Sequence, residues 1–241
     1  MISVVRVRQL SDIIEVTVFQ AKVSAETHHD QRYWTVLDQL EYAKASRIKQ
    51  PLLQHRYVEI HGRLRILLGQ WLNESPDQLQ ISRTEQGKPY LEHYPELCFN
   101  LSHTGEHVLF AIATQAQLGV DIEVCKARVN FEGLVDKCFA KEERVYWTQL
   151  PELDQRQAFY HFWTQKEAFV KATGRGIALG LNACVVNPLH PSTFLSVPEG
   201  CGRVSDWHSL SLDCGAGLSA AIVTDKPVSY THLKLPTIYS V

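Results

Sequence analysis

Two acids alternate with branched apolar residues along Leu118-Gly119-Val120-Asp121-Ile122-Glu123-Val124. Neighbouring side chains on a β-strand point to opposite faces. Val120, Ile122 and Val124 would therefore share the core face, and Asp121 and Glu123 the other. Two carboxylates side by side repel unless a cation or a strong donor stands between them. Hard oxygen ligands of this kind suit Mg²⁺, which keeps several waters and takes one or two protein carboxylates together with phosphate oxygens. A half-exposed strand with two solvated acids is the competing reading. A second set sits in Phe162-Trp163-Thr164-Gln165-Lys166-Glu167-Ala168-Phe169-Val170-Lys171. Phe159, Phe162, Trp163, Phe169 and Val170 form the apolar stripe of a helix predicted from about Asp154 to Thr173, stopped by Gly174. Glu167 and Lys171, four residues apart, lie on one ridge at the stripe's edge. Glu167 is thus a candidate third ligand beside Asp121 and Glu123, and Lys166 and Lys171 are candidates to meet phosphate charge. An exposed ion pair with no further role is the alternative.

Weaker signals come from three other stretches. In Phe99-Asn100-Leu101-Ser102-His103-Thr104-Gly105, adjacent residues of an extended chain diverge, so Ser102 and His103 are not read as a nucleophile–base dyad. His103 is read as an anion contact or as a structural turn histidine. Lys88, in Gly87-Lys88-Pro89-Tyr90, belongs to a turn. Between Arg32 and Arg65 seven basic residues face three acids, an excess suited to a phosphorylated ligand or an acidic partner, or else a solvated helix face. The glycines from Gly174 to Gly180 follow a helix instead of joining a strand to one, which rules out a dinucleotide loop.

These side chains need a scaffold of two kinds of element. Ile2–Val7 and Ile13–Phe19 read as strands. A helical pattern runs from about Thr27 to Asn73 with a break at Pro51, followed by strand-like runs at Leu79–Ser82, Leu97–Leu101, Val108–Ala113 and Leu118–Val124. A second helical region covers about Phe131 to Ala172, then strands recur at 182–187, 204–212 and 218–223. The order predicts two similar α+β halves: an N-terminal half over residues 1–117, a C-terminal half over 118–225 carrying the acids, and a tail of unassigned order over 226–241. The chain has 241 residues with 45% hydrophobic and 21% charged, values of an ordinary globular protein that exclude wholesale disorder. A net charge of −2 removes the global electrostatic case for a nucleic-acid binder. No apolar run is long enough to span a bilayer, and the charged N-terminal stretch is not expected to be a signal peptide. Six cysteines without a CxxC pair suit reduced thiols in a cytoplasmic protein and disfavour zinc.

Gly87-Lys88-Pro89, Asn100-Leu101-Ser102-His103, Gly119-Val120-Asp121-Ile122-Glu123 and the segment from Phe162 to Lys171 occur in one order. This set resembles the 4′-phosphopantetheinyl transferases, specifically the larger class that activates surfactin synthetase and similar assembly lines. The resemblance runs over roughly residues 40 to 185. It implies an α+β pseudo-dimer, two halves with coenzyme A in the cleft between them, and transfer of phosphopantetheine to a serine of an apo acyl or peptidyl carrier protein with release of 3′,5′-ADP. By the same resemblance Asp121, Glu123 and Glu167 would hold Mg²⁺, or Mn²⁺ in its place. Lys171 would sit by the leaving phosphate, and Glu167 or Glu143 would act as general base, with Glu142 adjacent to the latter. Arg56, Lys88, Ser102, His103 and Lys166 would contact coenzyme A. Lys44 and Arg47 are further candidates of the N-terminal region. A Mg²⁺-dependent phosphohydrolase and a non-catalytic carrier-binding module of the same fold are the alternatives. A monomer is expected, since the paired halves suffice to form the cleft.

Overall fold

The computed structural model describes residues 13–23 and 31–235. The strand expected at Ile2–Val7 lies outside them. The first strand, β1 (Ile14–Lys22), is followed by helices α1 (Gln31–Thr35), α2 (Gln39–Arg47) and α3 (Pro51–Leu72). Pro51 does not interrupt a continuous helix. It starts α3, where a missing N–H costs nothing and the fixed φ suits the first turn. A short hairpin, β2 (Ile81–Arg83) and β3 (Pro89–Leu91), precedes the long antiparallel pair β4 (Leu97–Thr104) and β5 (His107–Thr114). The second half contains β6 (Leu118–Val124), α4 (Phe131–Cys138), α5 (Lys141–Gln149), α6 (Glu152–Thr173), the small pair β7 (Val185–Val186) and β8 (Phe194–Ser196), and then β9 (His208–Ser211) and β10 (Leu218–Thr224). Residues 228–234, expected as an unassigned tail, form β11 (Val228–Lys234). This strand returns to the first sheet and runs parallel to β1, giving the order β11-β1-β5-β4.

Each half packs a helix of 22 residues on the outer face of its sheet. Ile60, Leu64, Leu67 and Leu68 of α3 cover Phe19, Phe99, Phe110 and Ile112. Phe162 and Phe169 of α6 belong to the cluster that holds Ala221 and Val223 of β10, in the second sheet of order β6-β10-β9. The inner faces of the two sheets meet directly: Val16, Val18, Leu109 and Ala111 pack with Val120, Ile122, Ala220 and Ile222. Full burial of each larger aliphatic side chain contributes about 1.5–3 kcal/mol, so the junction between the two sheets is itself a core, beside one under each long helix. The result is an α+β pseudo-dimer of helix, sheet, sheet, helix. No helix of the described residues is long and apolar enough to cross a membrane.

Two features position β6. Gly119 of β6 lies so close to α6 that a Cβ there would stand 1.9 Å from the Ala168 carbonyl oxygen and 2.4 Å from the Ala172 nitrogen. Only glycine permits this approach. The free edge of β6 faces β4, whose side chains substitute for a neighbouring backbone. Asn100 Oδ1 accepts from the Val120 N–H at 2.9 Å, and Thr104 Oγ1 accepts from the Val124 N–H at 3.5 Å. The edge of β6 is thereby sutured to the other half, without a backbone ladder between them.

Candidate active site

A cleft of about 400 Å³ opens beside this suture, lined by Glu41, His61, Arg83 and Lys88 from the first half and Glu167 and Lys171 from the second. Behind Lys171 of its wall, Asp121 is 3% exposed. Its Oδ1 accepts from Lys171 Nζ at 2.7 Å and from Ser102 Oγ at 2.8 Å, and Lys171 Nζ also donates to Ser102 Oγ at 2.8 Å. Its Oδ2 is buried with no hydrogen-bond partner among the described residues. Leaving a buried acceptor unmatched costs about 1–3 kcal/mol, and more for a charged one. Glu123 is partly buried and accepts from Thr104 Oγ1 at 3.0 Å. Burial, and then the charge of Asp121, push its carboxyl above the usual range. Burial likewise raises Glu167, with Asp121 and Glu123 adding repulsion and Lys171 opposing it.

The structure thus brings Ser102, Asp121, Glu123, Glu167 and Lys171 into one electrostatic neighbourhood. Three neighbouring acids, Glu123 and Glu167 pushed up by burial and by the charge beside them and Asp121 with an orphaned buried oxygen, are a donor set suited to a hard divalent cation. They are not drawn into a finished cage: among the described residues no group of three or more His, Cys, Asp or Glu side chains is positioned to hold an ion as it stands. Asp121 is neutralised by the Lys171 ammonium instead.

A basic wall borders the acids. Partial burial of its ring lowers the pKa of His103, and the charges of Lys171, His61 and Arg56 lower it further. Arg56 Nε is buried with no hydrogen-bond partner among the described residues. His61 was not singled out by the sequence. Its Nδ1 lies 3.0 Å from Glu41 Oε1, and its ring lies tilted by 31° against Tyr57 at 4.1 Å between centroids. Burial would raise Glu41, but the hydrogen bonds and charges of His61 and Arg65 outweigh it and hold the carboxyl low.

Three expectations are corrected. Lys166 does not reach phosphate. It is fully buried beneath α6, donating to Glu143 Oε2 at 2.7 Å, to the Leu181 carbonyl at 2.9 Å and to the Cys184 carbonyl. Glu143, also fully buried, is no base for a substrate in the cleft. Its oxygens accept from the Ala140 and Val186 N–H groups as well as from Lys166. Lys88 lines the cleft with its stem, while its ammonium turns into the junction and donates to the Leu118 carbonyl at 3.2 Å and the Ala172 carbonyl at 2.5 Å. The basic excess before Arg65 is also partly internal. Arg65 is fully buried against Asp38, Glu41 and the Leu79 carbonyl, and Arg63 pairs with Glu59. Lys44, Arg47 and Lys49 are exposed.

Asn100 and Thr104 escaped notice, although the alternation Asn100, Ser102, Thr104 places three polar side chains on one face of β4. That period matches the alternation of Asp121 and Glu123 across the suture.

The comparison with known proteins falls on the same two halves. Residues 117–224 match the model of the 4′-phosphopantetheinyl transferase superfamily, and residues 29–115 match that of the 4′-phosphopantetheinyl transferase N-terminal domain. HetI of Nostoc sp., named a 4′-phosphopantetheinyl transferase, is 33% identical over 162 residues, covering 66% of this chain and 68% of that one. A Synechocystis sp. protein assigned by name to the same family is 34% identical over 155 residues, 64% of this chain and 63% of its own. Sfp of Bacillus subtilis, also named a 4′-phosphopantetheinyl transferase, is 34% identical over 119 residues, 49% of this chain and 51% of its own. The aligned stretches thus span about half to two-thirds of these relatives' lengths. The two matched segments are those that the suture joins, and the second carries all three acids and Lys171: the chain belongs to the 4′-phosphopantetheinyl transferase family.

Proposed function

We propose that this protein transfers the 4′-phosphopantetheine group of coenzyme A to a serine of an apo acyl or peptidyl carrier protein and releases 3′,5′-ADP. It would do so with Mg²⁺, or Mn²⁺ in its place, as a member of the larger surfactin-synthetase-activating class. The observation that carries the reading is the unpartnered Asp121 Oδ2 at the meeting point of three acids, Lys171 and a basic wall. Asp121, Glu123 and Glu167 would hold the ion. When bound, it screens the pyrophosphate charge and withdraws electrons from phosphorus.

The remaining roles belong to the chain. Arg56 and His103 supply positive or hydrogen-bonding groups for the nucleotide's phosphate, and Ser102 fixes Lys171 against Asp121 through two hydrogen bonds. In the transfer, the serine oxygen of the carrier bonds to the β-phosphorus as the bond to the ADP oxygen breaks. The serine proton passes to Glu167, whose raised pKa makes it a better acceptor than an exposed carboxylate. Negative charge gathers on the departing ADP, and Lys171 is positioned to stabilise it there. The six cysteines are free thiols, which suits a reducing compartment, and both halves of the cleft come from one chain. We accordingly place the protein in the cytoplasm as a monomer.

The test is intact mass spectrometry of a panel of apo carrier proteins incubated with the protein, coenzyme A and Mg²⁺. A phosphopantetheine mass increment on at least one carrier is expected. Release of free phosphopantetheine without carrier modification would establish the phosphohydrolase, and coenzyme A binding without turnover on any carrier the binding module.

A further inference from the structure

The tip of the β2–β3 hairpin is firmly built. The Thr84 carbonyl accepts from the Gly87 N–H at 2.8 Å, the Lys88 carbonyl from the Thr84 N–H at 2.9 Å, and Thr84 Oγ1 from the Lys88 N–H at 3.1 Å. Arg83 adds a bond to the Gly87 carbonyl at 3.0 Å. The Cα of Lys88 is therefore fixed within the hairpin. Its side chain then crosses to the second half and lies over Gly174, the left-handed residue that ends α6, where a Cβ would meet Lys88 Cδ at 2.9 Å. Beyond Gly174 the ammonium reaches the carbonyls of Ala172, in the last turn of α6, and of Leu118, the first residue of β6. The last carbonyls of a helix lack internal partners, so an N–H donor placed there satisfies them.

We infer that Lys88 is a positioning residue, a latch whose ammonium fastens the β2–β3 hairpin to the end of α6 and the start of β6. The same α6 carries Glu167 and Lys171, and the hairpin residues 86–89 form a wall of the cleft together with Gly174 and Gly176. The latch thus sets the distance between that wall and the acids. This differs from a lysine that waits for a ligand phosphate, because two of its three N–H groups already donate to the protein. That the cleft so shaped receives coenzyme A rests on the transferase reading above; the latch itself does not.

Two measurements test it. Wild-type protein is pulse-labelled with acetic anhydride, with and without coenzyme A, and the lysines are read by peptide mass spectrometry. Lys88 is expected to react at least about tenfold more slowly than the exposed Lys44 and Lys49 even without coenzyme A, as befits a group reached only by local opening. Labelling as fast as theirs, or protection that arises only when coenzyme A is added, would overturn the latch in favour of a direct ligand contact. In the second, Lys88→Met keeps the stem over Gly174 and removes the ammonium. Amide exchange without ligand is expected to quicken about tenfold both at 84–89 and at 172–176, and unchanged exchange in either segment would refute the inference. Should the variant fail to fold, the wild-type labelling still decides. Should coenzyme A not bind at all, the transferase reading falls, while slow labelling of Lys88 in the free protein still supports the latch.

Discussion

An aspartate with one oxygen engaged twice and the other not at all is set to receive a cation. Asp121→Asn keeps the shape and a hydrogen-bond acceptor for Lys171 but loses the charge that a divalent ion needs. Transfer to the carrier is expected to fall by at least about a hundredfold, while the thermal midpoint changes little because the core contacts of Val120 and Ile122 remain. Carrier mass spectrometry beside a melting curve checks both, and full activity in the variant would remove Asp121 from the site. Thr104 supports Glu123 from across the suture. Outer-shell partners of metal ligands typically alter affinity by about 10–100-fold. Thr104→Val is therefore expected to raise the Mg²⁺ concentration needed for half-maximal rate by about tenfold, and Thr104→Ser to restore it. At this scale the acids and Lys171 were legible, because alternation on a strand and a four-residue step on a helix place them without knowledge of the fold. Lys166 was not. A lysine beside a glutamate that lines the cleft looks the same in sequence whether its stem runs outward or under the helix, and only the position of Glu143 and two carbonyls decides that.

At the level of elements, α6 was predicted nearly to its ends, since its aromatic stripe and Gly174 mark both face and stop. The predicted start near Asp154 moved back to Glu152, just after Pro151. How the helix is pressed onto β6 was invisible, for Gly119 reads as a mere gap beside the acids until the Ala168 carbonyl is seen above it. Gly119→Ala must push α6 away from the strand. The expected cost is about 3 kcal/mol of stability, at the upper end for an overpacked core, together with loss of transfer; urea unfolding measures the first. The buried Lys166–Glu143 pair anchors the other side of α6 to α5 and β7. Removing one partner strands the other's charge, so Lys166→Met is expected to lose about 3–5 kcal/mol. The folded fraction should nevertheless bind coenzyme A within about threefold of wild type, for the lysine does not face the cleft. A loss of affinity with unchanged stability would restore Lys166 to the binding surface.

For the whole molecule, the succession of strands and helices revealed two halves, because each must bury one helix face on one sheet. It did not reveal that β11 rejoins the first sheet, nor that side chains of β4 complete the edge of β6, since pairings between distant segments leave no periodic trace. The junction makes one property of the entire protein measurable. Burial holds the Lys88 ammonium at a pKa of about 8, against an ordinary 10.5. Between those values the unfolded chain binds more protons at this site than the folded protein does, so stability must rise with pH across the window. Below about pH 8 both states are charged and the folded protein bears the full cost of burying the ammonium. Above 10.5 both are neutral and that cost is gone, while a neutral amine still has two N–H groups for the two carbonyls of Leu118 and Ala172. The shift corresponds to an upper bound on the order of 3 kcal/mol. Unfolding free energies of wild type and Lys88→Met, taken from pH 7 to 10.5, cancel the titrations that the two proteins share. Their difference is expected to move in favour of wild type as pH rises, and a difference that stays flat or falls would mean that the ammonium is not buried between the halves.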